Sequence, residues 1–355
     1  MSGDALISGA GVAGMSLAYW LHGQGYAVTV VERAAALHGT GYAVDFRGQA
    51  IGVLDGMGLL SQMRDHATGL GAITLVDGDG KWIGEVPGET LAGDLTVLKP
   101  DVTRILHSIT ADDVSYVFND SITAIDQGED GVSVEFERAA GRRFDLVVGA
   151  DGVHSGVRRH VFGPDRDFVQ HLGMSGVGFT TANRLGLDHE GLLYSGPGRA
   201  VHVFSCGDPG RMTVSLSFAT ASADVDRLGR GSKERLVRER FAGAGWLVPR
   251  LLEEMRLARD FSFFSACQIV MDRWSHGRVV LVGDAGYCAA PMAGMGASQA
   301  LIGARLLATR LVETDGDHTV AFPAYERELC PYVTENQAKG AEAAKAFGFT
   351  IRPSH

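Results

Sequence analysis

The stretch "ISGAGVAGMSLAYWLHGQGYAVTVVER", Ile7 to Arg33, limits what this chain can fold into more than any other. A short, mostly apolar run, Ala5–Ser8, stops at Gly9 as a buried parallel strand does. From Val12 to Gln24 the residues Ala13, Leu17, Trp20 and Leu21 recur at helical spacing. Gly25 ends that helix, and "YAVTVVE" reads as a second strand, which completes a βαβ unit. Gly9, Gly11 and Gly14 open the helix at G-x-G-x-x-G spacing, with Val12 and Ala13 between them. Gly9 permits the tight turn, Gly11 lets backbone approach a pyrophosphate, and Gly14 lets helix and strand pack closely. The free N–H groups of the helix N-terminus favour the phosphates. Glu32, followed by Arg33, ends the second strand, where a carboxylate meets the ribose hydroxyls of an adenine dinucleotide. This corner alone does not separate FAD from NAD.

At 355 residues the chain is long for one core, so two joined domains are expected. "FDLVVGAD" (Phe144–Asp151) and "GRVVLVGDA" (Gly277–Ala285) read as two more buried strands, each followed by a glycine-containing loop and a helix. Elsewhere the texture changes. "AITLVDGDGKWIGEV" reads as a hairpin around Asp77–Gly80, and "SGVGFTTAN", "RAVHVFSCG" and "RMTVSLSFAT" alternate like strands of a sheet with unlike faces. Ser232–Met255 is helical in pattern, and Val320–Phe347 is expected to be helical with a break near Pro331. The fold class is therefore α/β. A Rossmann-like nucleotide-binding domain (residues 1–71, 97–160 and 268–355) carries an inserted, mostly antiparallel substrate domain (72–96 and 161–267) and ends in C-terminal helices.

A net charge of −10 with no Lys/Arg cluster argues against a nucleic-acid partner. No stretch has the length of apolar sequence a membrane span needs, and the N-terminus carries Asp4 instead of the basic residues of a secretory leader. A cytoplasmic location follows, as monomer or homodimer. Cys206, Cys267, Cys288 and Cys330 are scattered with no CxxC pair, so free thiols are expected and no metal site. His22, His107, His154 and His202 stand isolated and read as satisfied or surface histidines.

"GADGVHSGVR" (Gly149–Arg158) and "GDAGYCAAPMAGMGASQAL" (Gly283–Leu301) decide the cofactor. Together with the glycine motif, and in the same order along essentially the whole chain, they resemble the single-component FAD-dependent aromatic hydroxylases with the para-hydroxybenzoate hydroxylase fold. The texture of "GYAVDFRGQAIGVLDGMGLL" is most similar to the actinobacterial, tetracycline-destructase-like branch. The resemblance implies that Asp284 accepts hydrogen bonds from the flavin's ribityl hydroxyls. Pro291 would stiffen the next loop, and Gly294, Met295 and Gly296 would present backbone N–H groups to the isoalloxazine, an oxyanion-type role. Asp151 and Arg158 would support the pyrophosphate region and transient NAD(P)H docking. Asp45 and Arg47 would run past the flavin. Lys99 stands where the family usually has arginine, which keeps the charge and loses the bidentate fork. Gly156 and Ser298 replace an arginine and an asparagine common in relatives, and Ser298 can still bond neighbouring backbone.

The implied activity is that of an NAD(P)H-consuming monooxygenase. NAD(P)H reduces a tightly but non-covalently held FAD, the flavin captures O2 as a C4a-hydroperoxide, and one oxygen passes to an aromatic or polycyclic small molecule. Water must be excluded from that chamber. Phe179, Phe204, Met212, Thr213, Ser215 and Phe218 of the inserted sheet, with Pro291 and Met292, are the candidate substrate wall. Alternation sets Met212 and Phe218 on one face of their strand and Thr213 and Ser215 on the other, without saying which face meets the flavin. Alternatives on the same fold are an FAD-dependent oxidase or dehydrogenase and a non-catalytic flavin-binding protein. A flavin halogenase is disfavoured, because Trp20, Trp82, Trp246 and Trp274 stand apart with no Trp-x-Trp pair.

Overall fold

β1 (Asp4–Ser8), a helix over Val12–Gly23 and β2 (Ala27–Glu32) form where the glycine pattern puts them, with β1 and β2 parallel. The structure is a computed structural model and describes residues 3–37, 42–88 and 92–346. In chain order there follow β3 (Ala43–Phe46), β4 (Ile73–Val76), β5 (Trp82–Val86) and β6 (Leu95–Leu98). Then come β7 (Ser115–Phe118), β8 (Ile122–Gly128), β9 (Gly131–Phe136), β10 (Arg142–Phe144) and β11 (Leu146–Gly149). Beyond a helix over Gly156–Val161 lie β12 (Val169–Ala182), β13 (Glu190–Gly196), β14 (Arg199–Ser205) and β15 (Arg211–Ala219). Two helices lead to β16 (Ser262–Ile269), β17 (Ser275–His276) and β18 (Val279–Leu281).

The first sheet has the order β17-β18-β11-β1-β2-β7, parallel from β18 to β7. Its strands are nearly continuous apolar runs because both faces are covered: Leu6, Ile7, Val30, Val147 and Val280 expose nothing. The runs "FDLVVGAD" and "GRVVLVGDA" supply β11 and β18. These flank one another beside β1, so the loops bearing Gly9, Asp151 and Asp284 leave the carboxyl ends of three adjacent parallel strands. The crevice outside those ends is where open α/β sheets bind ligands.

The second sheet, β16-β12-β15-β14-β13-β4-β5, is antiparallel except at the β13–β4 pair. The hairpin at Asp77–Gly80 joins β4 to β5, and the Asp77 carboxylate closes it by accepting from the N–H groups of Asp79 and Lys81, each at 2.9 Å. One face of this sheet buries Val177, Val201, Val203, Val214 and Leu216 against Val237, Phe241, Leu251 and Met255 of two helices.

The chain departs from expectation at two helices. Ser232–Met255 is two helices, Arg230–Arg240 and Val248–Leu257, not one. The break holds Gly243 (φ 70°) and Trp246 (φ 51°) in the left-handed region, and Pro249 opens the second helix. The C-terminal helix, His318–Ala346, runs unbroken through Pro323 and Pro331. Pro331 is exposed, while Phe322, Tyr325, Leu329 and Val333 form a continuous buried stripe on either side of it. One backbone bond lost on the wet side is the smaller cost, because water can satisfy the freed carbonyl. The three-stranded β10-β9-β8 sheet and the β3–β6 ribbon carry no strong sequence signal.

Candidate cofactor and substrate site

The glycine motif divides its labour by geometry. A Cβ on Gly14 would lie 2.0 Å from the Gly9 carbonyl oxygen, and one on Gly9 (φ 108°) would lie 2.5 Å from that of Ala150. Both glycines therefore hold protein against protein. A Cβ on Gly11 would meet nothing within 4 Å, so the space over the start of helix Val12–Gly23 is open to a ligand. No side chain caps that helix, which leaves the first-turn N–H groups of Val12, Ala13 and Gly14 without intrahelical acceptors. The Glu32 carboxylate accepts from the N–H groups of Ala10 (2.9 Å) and Ala34 (2.8 Å), which fixes it beside the glycine loop with lone pairs to spare for hydroxyls. Arg33 is exposed next to it. An open approach over Gly11, free donors and a fixed carboxylate fit an adenine dinucleotide.

Behind the loops the polar groups serve the protein itself. Asp151 accepts from Ser155 Oγ (2.5 Å) and from the N–H groups of Gly156 (2.8 Å) and Val157 (3.3 Å), and so shapes its own turn. Gly152 (φ 79°) beside it has nothing within 4 Å of a Cβ position. Arg158, expected among the cofactor contacts, is instead completely buried. Its guanidinium donates to the carbonyls of Ala285 (2.8 Å) and Val153 (2.6 Å) and to Asp165 (2.7 Å). It ties the Asp-Gly loop to the Gly-Asp loop from the rear. Burial pushes the Asp165 carboxyl up, but Arg158 and Arg159 outweigh it and hold the group below the ordinary aspartate range.

Gly283 (φ 67°) turns β18 into a short helix, and a Cβ there would lie 2.9 Å from the Ala13 methyl, so the Gly-Asp turn sits directly on the glycine-motif helix. Asp284 follows. Desolvation raises its pKa, while the Cys288 thiol and the Lys99 charge pull the other way. Lys99 Nζ donates to Tyr42 Oη and lies 4.8 Å from that ring. Ala290 adopts φ 77°, ψ 152°, a conformation costly for any residue with a Cβ, directly before the exposed Pro291. The strain is held by neighbours. Gln268 donates to the Ala289 carbonyl (3.2 Å), Gln337 donates to those of Ile269 (2.7 Å) and Cys288 (3.4 Å), and a Cβ on Gly340 would sit 2.0 Å from the Ala289 oxygen.

The loop beyond Pro291 meets the segment from the first domain. Gly294 (φ 61°) places a Cβ position 3.5 Å from Asp45 Oδ2 and 3.7 Å from Arg47 Nε, and that of Gly296 is 3.8 Å from Asp284 Oδ1. Asp45 accepts from Thr96 Oγ1 (2.6 Å), from the Gly93 N–H (3.1 Å) and from Arg47 (3.2 Å). Ser298 bonds backbone as expected: its hydroxyl accepts from the Arg47 N–H (2.9 Å) and donates to the Asp45 carbonyl (3.3 Å). Met295 is buried, and helix Gly296–Glu313 begins here with no side-chain cap. Thus Asp45, Arg47, Lys99, Asp284, Gly294 and Gly296, far apart in the chain, surround one region.

The inserted sheet resolves its two faces. Ala200, Ala219 and Phe264 pack against the same buried pair, Met174 and Ala266, as Met292 does, so their face looks at the Pro291 loop. Thr213 pairs with Phe204, and Ser215 with His202, in phase with those residues. Phe179, Met212 and Phe218 point the other way, into the helix-covered core, where Phe218 meets the Phe241 ring at 6.3 Å. They are core residues and not substrate wall. The face covered by helices is lined by a continuous apolar set, whereas the face toward the Pro291 loop mixes Phe204, Phe264 and Leu193 with small and polar residues. His22, His107 and His154 are partnered, by Asp113, the Tyr116 ring and Asp226 respectively. His202 is not a satisfied histidine: the residue is partly exposed, but its Nε2 is buried without a partner. Alternation in "RAVHVFSCG" puts His202 in phase with Phe204, but not on a named side.

Among the described residues no helix is long and apolar enough to cross a membrane, and no cluster of His, Cys, Asp and Glu is arranged to hold a metal. The family model described as FAD binding domain matches residues 3–328. An uncharacterized protein of Mycobacterium tuberculosis is 41% identical over 338 residues, 94% of this chain and 91% of that one. A flavin-dependent monooxygenase of Legionella longbeachae is 34% identical, over 96% of this chain and 89% of its own. The crystal structure of tetracycline destructase Tet(51) superposes with a TM-score of 0.89 at 34% identity, covering 97% of this chain and 91% of that one. Motif loops at the ends of three parallel strands, the open glycine cradle and these likenesses agree: the chain belongs to the FAD-dependent monooxygenases, flavoenzymes that use NAD(P)H and O2.

Proposed function

We propose that the enzyme hydroxylates an aromatic or polycyclic small molecule held between the Pro291–Gly296 loop and the cofactor-side face of the inserted sheet. One contrast within that sheet carries the reading. Gly178, Leu193, Ala200, Ser215 and Ser217 each keep part of their surface open, while Val177, Val201, Val203, Val214 and Leu216 on the other face are fully or almost fully buried. A partly open face of mixed apolar and small residues with a few hydroxyls suits a flat, mainly apolar ligand. The likeness to a tetracycline destructase supports a fused-ring substrate.

In this reading residues 1–71, 97–160 and 268–355 hold the cofactor, and 72–96 with 161–267 cover the substrate. Bound there, the flavin supplies the redox chemistry, taking electrons from NAD(P)H and delivering one atom of O2 to the ring. The protein's part is positional. Gly11, Val12 and Ala13 cradle the pyrophosphate, Glu32 takes ribose hydroxyls, and Asp284 takes ribityl hydroxyls. The Gly294 N–H is spent on the Pro291 carbonyl (3.1 Å), so the N–H groups of Met295 and Gly296 are the ones that favour negative charge on the ring, and Asp45, Arg47 and Lys99 flank it. Phe204, Thr213, Ser215 and Met292 line the substrate side and keep water out.

The deciding experiment is NAD(P)H oxidation by the purified protein across phenols, anthraquinones and tetracyclines, under isotopically labelled O2. Stimulated oxidation with label in the product is the expected result. Stoichiometric H2O2 and unlabelled product would mean an oxidase, and no redox activity at all a flavin-binding protein.

Asp284 offers a second test. An acid whose folded pKa is raised contributes stability below its ordinary value and loses it as pH rises through the raised one. In its ionised form the group is therefore a burden on the FAD-free site, relieved when hydroxyls donate to it. Asp284→Ala is expected to weaken FAD binding about tenfold to hundredfold, with no loss of thermal stability in the FAD-free protein. Flavin fluorescence titration and calorimetry measure the two. A lower melting temperature for the FAD-free variant at neutral pH would show that the carboxylate serves the fold instead.

A further inference from the structure

His202 lies at the middle of β14, on the cofactor-side face with Ala200 and Phe204. Leu193 and Ser215 stand directly opposite on the two neighbouring strands, and the Phe204 ring is 5.1 Å away, tilted by 30°. Nε2 turns toward Gly191: a Cβ on that glycine would be 3.3 Å from Nε2, and 3.4 Å from Ile73 Cγ1 and Phe204 Cβ. In this apolar corner Nε2 is sealed and has no hydrogen-bond partner. The residue as a whole is still partly exposed, so the open edge of the ring is not the Nε2 edge.

A neutral imidazole has one N–H and one lone pair. A buried orphan N–H is rarer and costlier than an under-satisfied acceptor. The sealed position therefore favours the lone pair at Nε2 and the proton at Nδ1. Burial, with no charged group to offset it, lowers the pKa of this histidine to about 4, so the ring carries no charge near neutral pH. The result is a neutral donor on the open face where a substrate would lie.

We propose that His202 is a specificity-determining residue, held as the Nδ1–H tautomer, which donates a hydrogen bond to an acceptor oxygen such as a ring carbonyl on the aromatic substrate. The inference rests on the substrate reading above and adds to it the polarity of one contact. An uncharged donor selects a ketone or quinone oxygen and gives no ion pair to a carboxylate. The stability consequence has the opposite sign to that of a structural histidine. Since Nε2 is unpaired, an apolar ring of similar size loses nothing in the fold.

The test uses the FAD-loaded protein and two tricyclic probes of nearly equal shape, 9-fluorenone with a carbonyl and fluorene without one. Binding is read from the flavin absorbance, and the ring state from nitrogen NMR of histidine-labelled protein. In the natural protein the expected result is a proton on Nδ1 of His202 and binding of fluorenone about tenfold tighter than fluorene, the worth of one hydrogen bond. His202→Phe should bring that ratio to about one with FAD content and melting temperature kept, and His202→Asn should restore part of it. A proton on Nε2, equal binding of the two probes, or a ratio that survives in His202→Phe would overturn the proposal. If neither probe binds, the aromatic-substrate reading falls and the proposal falls with it, a result distinct from binding without discrimination.

Discussion

Arg158→Met is expected to destabilise the enzyme by about 3–5 kcal/mol, because it leaves Asp165 and two carbonyls without the cation that joins them. For a chain of 355 residues that is a fall in melting temperature of about 4–7 °C, from an unfolding entropy near 2 cal/mol/K per residue. The loss has a pH signature. A carboxyl whose folded pKa is depressed contributes stability above the unfolded value and loses it as pH falls through the folded one. The natural protein should therefore lose part of its stability on acidification below about pH 4. Arg158→Met should flatten that part of the profile. Adding Asp165→Asn should recover part of the loss, since in the single variant the mostly buried carboxylate keeps just its pair with the exposed Arg159, at 3.2 Å. Calorimetry across pH checks all three, and a single variant within 1 kcal/mol of the parent would mean that the pair does not brace the two loops.

The glycines of the first loop should separate folding from cofactor binding. Gly14→Ala drives a methyl to 2.0 Å from the Gly9 carbonyl, so the helix must move off β1. A cost of about 1–3 kcal/mol is expected, with FAD binding lost along with it. Gly11→Ala meets no protein atom within 4 Å, and its φ of −86° suits alanine. That variant should fold with unchanged stability and still bind FAD at least about a hundredfold more weakly, since its methyl occupies the approach of the pyrophosphate. Thermal unfolding and flavin content of the two purified variants are sufficient readouts. Normal FAD content in Gly11→Ala would refute the cradle.

Much of this was legible in the chain. The βαβ unit, the two later motif strands and the antiparallel sheet could be read because each is a local pattern. A buried parallel strand is a short apolar run, a half-covered strand alternates, and a turn or close approach demands glycine. Two helix readings failed, one to tertiary packing and one to backbone conformation that side-chain spacing does not report. Pro331 was expected to break the last helix, and the buried stripe on both sides of it overrode that. Gly243 and Trp246 interrupted a run whose spacing alone looked continuous.

The sequence by itself determined that the three motif loops meet at the ends of adjacent parallel strands, because apolar runs, glycines and carboxylates at set spacing leave the backbone few other arrangements. Only the tertiary structure decided which side of a residue the ligand would see. Arg158 sits in the Asp-Gly motif and yet faces inward, since its cationic fork finds two carbonyls and a carboxylate there. Phe179, Met212 and Phe218 went to the helices, and Phe204, His202 and Ser215 to the face toward the Pro291 loop. Alternation with period two is the same pattern whichever face is turned inward, so the choice was made by what each face packs against.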